Sequence, residues 1–398
     1  MSEDLDAFRQ EVRAWLADNA PKQPDFKLPE SFMEVGEPQQ FEYLRAWQRK
    51  VYDAGYLGMA WEKEYGGRAM DPVYQGIVNH EMAIINAPFM VNIIGLMWAG
   101  PVIRQLGSEE QKRRYLPKLL SGEEIWCQGF SEPDNGSDLA NVQTTAVRDG
   151  DHFIVNGTKI WTSLGTEAKH MILLARTDKT ADSKYKGLTF FLAPVDVPGV
   201  TKHPIKKMTG EYGFNETRFE DARVHESCML GHEGEGWSVA MATLMYERGA
   251  SGGQAGGLSM VSLSTADVIE MAKHCKRNGR PPLEDPILRD EMVRLVIEER
   301  AMYKSRERLR HKALNAERPN LIMMASKLMG SEFRRRLARF AVTLQGGAGA
   351  LYVGDPDAIE DAEWLRHYMN AFSMTIGGGT SQIQRNIVGE RVLGLAKG

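Results

Sequence analysis

Apolar positions in the first part of the chain recur at helical spacing. Phe8, Val12 and Leu16 share one face, and Phe41, Leu44, Trp47 and Val51 share another. Residues 82–106 form a long apolar, largely helical stretch interrupted by Pro88 and Pro101, with a loop at 61–67 before it. From about residue 123 the pattern becomes that of strands. Phe153-Ile-Val155 and Thr158-Lys-Ile-Trp161 flank Asn156-Gly157, a pairing that predicts a two-residue hairpin. Residues 170–177, 187–193 and 217–224 add strand-like runs. Helical spacing returns after Gly234, over 237–258, 260–274, 285–313 and 325–343. Asp285-Pro286 marks a helix start, and Thr380 or Ser381 caps a last helix. The predicted fold is α+β and mostly α: an N-terminal helical domain (1–122), a middle β domain (123–232) and a C-terminal helical domain (233–398).

Composition narrows the classes. At 398 residues the chain exceeds one ordinary core, which agrees with several domains. A net charge of −4 provides no general attraction to nucleic acid or anionic membrane. No apolar run is long enough to span a bilayer, and the acidic, helical N-terminus does not read as a secretory signal. Cys127, Cys228 and Cys275 are scattered without metal-ligand or disulfide spacing, which fits a cytoplasmic protein. His80-Glu81 lacks a second histidine at zinc spacing, so no metal site is expected.

The candidate chemistry lies at 126–163. Ser131 and Ser137 offer hydroxyls, Gly129 and Gly136 permit close backbone approach, and Trp161 offers an aromatic face. Together with Gln128, Phe130 and Ser163, these groups match the polar edge and apolar faces of a flavin. A surface loop followed by an ordinary hairpin is the plainer alternative.

The run Gly129-Phe-Ser-Glu-Pro-Asp-Asn-Gly-Ser-Asp138, with Trp161-Thr-Ser163, resembles a signature of the acyl-CoA dehydrogenase family. Gly377-Gly-Gly-Thr-Ser-Gln-Ile-Gln-Arg385 is similar to that family's second signature. Phe219-Glu-Asp-Ala-Arg-Val224 and Gly234-Glu-Gly-Trp237 also resemble it. The resemblance covers nearly the whole chain in the right order. It implies a β-barrel-like middle domain, a C-terminal four-helix bundle and FAD as cofactor. The implied reaction removes the α proton of an acyl-CoA thioester, passes the β hydride to flavin N5 and yields a trans-2-enoyl-CoA. An electron-transfer flavoprotein is the implied acceptor, and a homodimer or homotetramer the implied assembly.

The resemblance assigns roles residue by residue. Gln128, Phe130 and Ser131 line the flavin ring, Trp161 and Thr162 pack beside it, and Ser163 bonds near N5. Ser137 stands near the thioester ligand. Thr380 and Gln382 meet the cofactor's dinucleotide part, and Gly346 and Gly347 meet the cofactor of a neighbouring subunit.

Three departures stand out. The commonest family base is a glutamate where this chain has Gly378, which retains only the backbone N–H that bonds the thioester oxygen. Tyr246-Glu247-Arg248 matches a second base position used in the family, so Glu247 is the candidate base and Arg248 a substrate-side residue. A solvated helix glutamate is the alternative. Cys275 and Asn278 replace an arginine and a phenylalanine that reach a neighbouring flavin, leaving Lys276, Arg277 or Arg280 to replace the charge. Thr343 replaces a glutamine that Gln345 is placed to substitute. Losing the usual base is also compatible with a flavin oxidase or monooxygenase, or with a non-catalytic subunit of a hetero-oligomer.

Overall fold

The computed structural model describes residues 3–29, 31–247, 263–308 and 320–396. They form two compact units, Met1–Val261 and Ser262–Gly398.

The N-terminal unit begins with α1 (Glu3–Asn19), α2 (Pro38–Asp53), α3 (Pro72–Ile84), α4 (Gly100–Leu106) and α5 (Glu109–Ser121). The helical spacing seen in the sequence becomes packing: Val12, Leu16, Trp47 and Val51 are buried in one core. Pro101 does not break a helix. It occupies the first turn of α4, which continues directly from a π turn at Gly95–Ala99, a local widening that accommodates the proline. Ser108 and Gln111 form a reciprocal capping box that starts α5.

The strands are β1 (Trp126–Gly129), β2 (Thr145–Asp149), β3 (His152–Ser163), β4 (His170–Arg176), β5 (Leu188–Pro194), β6 (Val200–Ile205) and β7 (Phe214–His225). They make one seven-stranded sheet in the order β1-β4-β2-β3-β7-β6, with β5 paired to β4. Alternation sorts β4 and β5 between two cores. Ile172, Leu174, Phe190 and Leu192 join the helices, whereas Met171, Leu173, Phe191 and Ala193 pack with Phe153, Val155, Phe219 and Val224. Cys127 belongs to the second core, where burial pushes its thiol up to about 12, so it is a protonated core residue.

Asn156-Gly157 is not a hairpin turn. β3 runs straight through it, and the pairing with β7 shifts register between Val155 and Gly157. The dipeptide serves a β-bulge instead: Gly157 has φ +146, and a Cβ there would meet Thr144 Oγ1 at 2.6 Å. Asn156 bonds Asp221 on β7 in both directions, at 3.0 and 2.9 Å. The turn that joins β2 to β3 lies at Gly150, with φ +64. The helix α6 (Gly236–Glu247) closes the described part of this unit and packs on β5, β4 and α4.

The C-terminal unit contains α7 (Thr265–His274), α8 (Pro286–Arg308), α9 (Asn320–Leu344), α10 (Glu363–Ile376) and α11 (Ser381–Ile387). Among the described residues, α7–α10 share one core that includes Val268, Met271, Leu288, Leu337, Phe340 and Trp364. Asp285 accepts the N–H of Ile287 at 2.8 Å and so caps α8. α10 lies where the apolar spacing predicts no separate helix. Among the described residues, no helix is long and apolar enough to cross a membrane.

Candidate functional site

The segment after β1 is clamped to β3 by a buried ion pair. Lys159 is fully buried, and its ammonium donates to Glu132 Oε1 at 2.9 Å and to the Phe130 carbonyl at 3.1 Å. The Glu132 carboxylate also accepts the backbone N–H groups of Gln143 at 2.6 Å and Thr144 at 2.8 Å. Beside this clamp, the N–H of Ile160 donates to the Ser131 carbonyl at 2.9 Å. Burial pulls Lys159 down to about 8 against the opposing pull of Glu132. For Glu132, burial acts upward, but Lys159 and the donors from 143 and 144 outweigh it and lower its pKa. Removing one member of such a pair leaves an uncompensated buried charge and costs about 3–5 kcal/mol.

The end of β3 is irregular. Its register with β7 shifts between Lys159 and Thr162, and Trp161 takes φ +62. A non-glycine residue in this region carries local strain. The indole is 53% exposed and meets Phe214 edge-on at 5.7 Å. Ser163 lies two residues on and is buried, yet its hydroxyl bonds no described residue. The same holds for the half-buried Gln128 amide and Ser131 hydroxyl. Unused donors together with an exposed aromatic face suit the edge and face of a flavin ring.

Two expected contributors are committed elsewhere. The Phe130 ring packs edge-on against Phe190 at 5.8 Å in the core, so a ligand can meet only its backbone. The Thr162 hydroxyl donates to the Asn215 carbonyl at 2.9 Å and pairs with Thr217 at 3.0 Å, so it too offers only backbone. Ser137 lies exposed on the loop, next to Asp138, which pairs with Lys184 at 2.7 Å.

Glu247 is the last residue of α6. Arg248 lies outside the described residues. The preceding Tyr246 donates its hydroxyl to Gln105 Oε1 at 2.7 Å, which ties this last turn to α4.

In the C-terminal unit, Asn278 and Gly279 have φ +52 and +78, and Arg277 and Arg280 exchange backbone bonds at 2.9 and 3.1 Å. This is a tight turn with two left-handed central residues. Cys275 is buried, with its sulfur near the carbonyls of Ala272 and Leu344. A charged side chain does not fit that place. Gly346, at φ +61, lies under Arg277, whereas Gly347 is exposed. Gln345 does not replace the missing glutamine: it turns into the core toward Met271 Sδ, at 3.8 Å. Thr343 is exposed and bonds the Arg339 carbonyl.

The glycine run before α11 is held through its carbonyls. Gln384 donates to Gly378 at 2.8 Å, and Lys327 donates to Gly379 at 2.6 Å. Gly378 and Gly379 have φ +66 and +89, a region that favours glycine. The Thr380 hydroxyl caps α11 by accepting the Ile383 N–H at 3.2 Å, and Gln382 is exposed.

Glu132 and Lys159 belong to the site without being singled out by any motif in the sequence. The available signal was a lysine inside a strand that otherwise alternates toward a core, together with a carboxylate in the loop that faces it.

Comparison with known proteins adds the following. Residues 2–123 match the acyl-CoA dehydrogenase N-terminal domain, 127–222 the middle domain and 234–393 the C-terminal domain. The acyl-CoA dehydrogenase IpdE1 of Mycolicibacterium smegmatis is 38% identical over 99% of this chain and 98% of its own. The human mitochondrial short-chain specific acyl-CoA dehydrogenase is 30% identical over 87% of this chain and 82% of its own. Among solved structures, the Tcur3481-Tcur3483 steroid ACAD aligns with a TM-score of 0.79 at 28% identity, covering 100% of this chain and 99% of that one. The ChsE4-ChsE5 complex from Mycobacterium tuberculosis aligns at 0.75 and 27% identity, over 100% of this chain and 99% of that one.

Proposed function

Since the chain belongs to the acyl-CoA dehydrogenase family of FAD-dependent oxidoreductases acting on CH–CH bonds, we propose that it desaturates a bulky, ring-bearing acyl-CoA with Glu247 as the base. When bound, FAD supplies the acceptor for the β hydride. The observation that carries the proposal is the exposed Trp161 at the end of β3, together with the unpaired side chains of Gln128, Ser131 and Ser163 on the segments that the Ile160–Ser131 bond joins. In this reading, the amide and the two hydroxyls hold the polar edge of the ring. The indole covers one face and excludes water. Glu247 takes the α proton at its carboxylate, and the backbone N–H of Gly378 receives the thioester oxygen as negative charge develops there. Ser137 and Arg248 are the proposed contacts to the substrate. Thr380 and Gln382 are the proposed contacts to the dinucleotide part of FAD.

Two features support a bulky substrate. Gly378 carries no side chain where the commonest family base would stand, and one solved relative is described as a steroid ACAD. The decisive experiment is anaerobic titration of the flavin-loaded protein with ring-bearing and straight-chain acyl-CoAs. Bleaching of the flavin by ring-bearing thioesters and its loss in Glu247→Gln are expected. Undiminished bleaching in Glu247→Gln overturns the base assignment, and bleaching by straight chains alone overturns the substrate class. Oxygen consumption by the reduced protein at the rate of turnover would replace electron-transfer flavoprotein with oxygen as acceptor.

A second reading concerns assembly. Cys275 and Asn278 cannot provide the cross-subunit flavin contact that the family's arginine and phenylalanine make: one is in the core and the other in a tight turn. This favours a hetero-oligomer in which a different acyl-CoA dehydrogenase-like chain supplies the missing contact, and the structural relative described as the ChsE4-ChsE5 complex supports it. Native mass measurement and flavin counting test it. One FAD per chain in a homo-oligomer overturns it.

A further inference from the structure

The pair Lys159–Glu132 has no role in the reaction described above, yet its position is unusual. Both residues are buried, and they join segments that are distant in sequence. Among the described residues, the ammonium reaches only acceptors at residues 130 and 132, while the carboxylate takes the N–H groups of 143 and 144. The loop between β1 and β2 is therefore fastened at both ends to one point on β3. That point is two residues before Trp161 and four before Ser163. The Ile160 N–H to Ser131 carbonyl bond continues the same seam.

Stability alone does not explain this arrangement. A buried ion pair gains little over well-packed apolar residues of the same volume, because both charges must leave water. What the pair has and apolar packing lacks is direction: each of its bonds fixes one named carbonyl or N–H. We infer that Lys159 and Glu132 are positioning residues of the flavin cradle. They hold the backbone of 130–132 in register with the end of β3, so that the groups at Gln128, Ser131, Trp161 and Ser163 are set before FAD arrives. Binding then orders little of the loop, which raises affinity. The inference rests on the flavin reading of this segment.

The test uses the full-length protein, with its partner subunit if one is required, and the variants Lys159→Met, Glu132→Gln and the double variant. FAD affinity is measured by titrating the apo protein, the fold by circular dichroism, and the flavin environment by the visible band and midpoint potential. The expected result is a folded double variant whose FAD dissociation constant rises at least about tenfold, with a displaced visible band. Wild-type affinity and an unchanged band in a folded variant overturn the inference. Hydrogen exchange on the wild-type protein keeps the test valid if the variants do not fold. Protection of residues 128–144 already in the apo protein, changing little on adding FAD, is expected. Free exchange there until FAD binds overturns the inference. A wild-type protein that binds no FAD overturns the flavin reading itself and this inference with it, whereas FAD binding that is indifferent to the pair overturns only the inference.

Discussion

The phenol of Tyr246 donates to the side chain of Gln105 at 2.7 Å, joining the last turn of α6 to the end of α4. The next residue along α6 is Glu247, the proposed base, so this bond fastens the turn of helix that carries it. A neutral hydrogen bond is worth about 1 kcal/mol, roughly a fivefold factor. Tyr246→Phe is therefore expected to lower kcat by about that factor while leaving flavin content unchanged. Steady-state kinetics with flavin absorbance check this. A change confined to KM would mean that the bond acts on binding and not on the base.

Trp161 is half exposed at the strained end of β3. Trp161→Leu removes the indole without opening the core, so its effect on stability should stay within about 0.5 kcal/mol. FAD affinity is expected to fall clearly. Thermal melting of the apo protein beside an FAD titration separates the two effects, and a large melting shift with unchanged affinity would contradict the role given to the indole.

Gly346 combines φ +61 with the Arg277 side chain, whose Cγ lies 3.2 Å from where a Cβ would stand. Gly346→Ala is expected to cost about 1–2 kcal/mol. In an Arg277→Ala background the steric part is relieved and only the backbone part remains. Denaturant unfolding of the two single variants and the double variant measures the difference.

Glu124 provides a pH prediction. Burial alone would raise its pKa, but hydrogen bonds from His170, Arg114 and Lys118 outweigh this and hold the carboxyl near about 2, against an ordinary 4.5. The folded state thus binds this proton less readily than the unfolded chain. The stabilisation is present above about pH 4.5 and is lost as the pH falls toward 2. Because Arg114 and Lys118 are partly solvated, its size is about 2 kcal/mol after screening. Glu124→Gln should lose about that much at neutral pH and flatten the acid limb of the stability curve. Urea unfolding across pH 2–6 measures both effects.

Much of the fold was legible because its signals are local. Helical spacing at Val12, Leu16, Trp47 and Val51 became buried faces, and Asp285 and Thr380 became caps, since each depends on residues within one or two turns. The exposed Trp161 and the unpaired Gln128, Ser131 and Ser163 were legible as a motif. Asn156-Gly157 is ambiguous in the sequence because its local chemistry, tolerance of unusual backbone angles, serves a turn or a bulge equally well. The choice came from β7, some 65 residues away, where Asp221 bonds Asn156.

By itself, then, the sequence determined the helical–β–helical order and the residues available for chemistry, because period, caps and motifs act over short distances. Tertiary structure decided which of those groups remain free. It sent the Phe130 ring into the core, the Thr162 hydroxyl into the sheet and Gln345 toward Met271, and it placed Lys159 against Glu132. The physical reason is burial. A buried polar group must find a partner, and that partner is set by the packing of segments far apart in the chain.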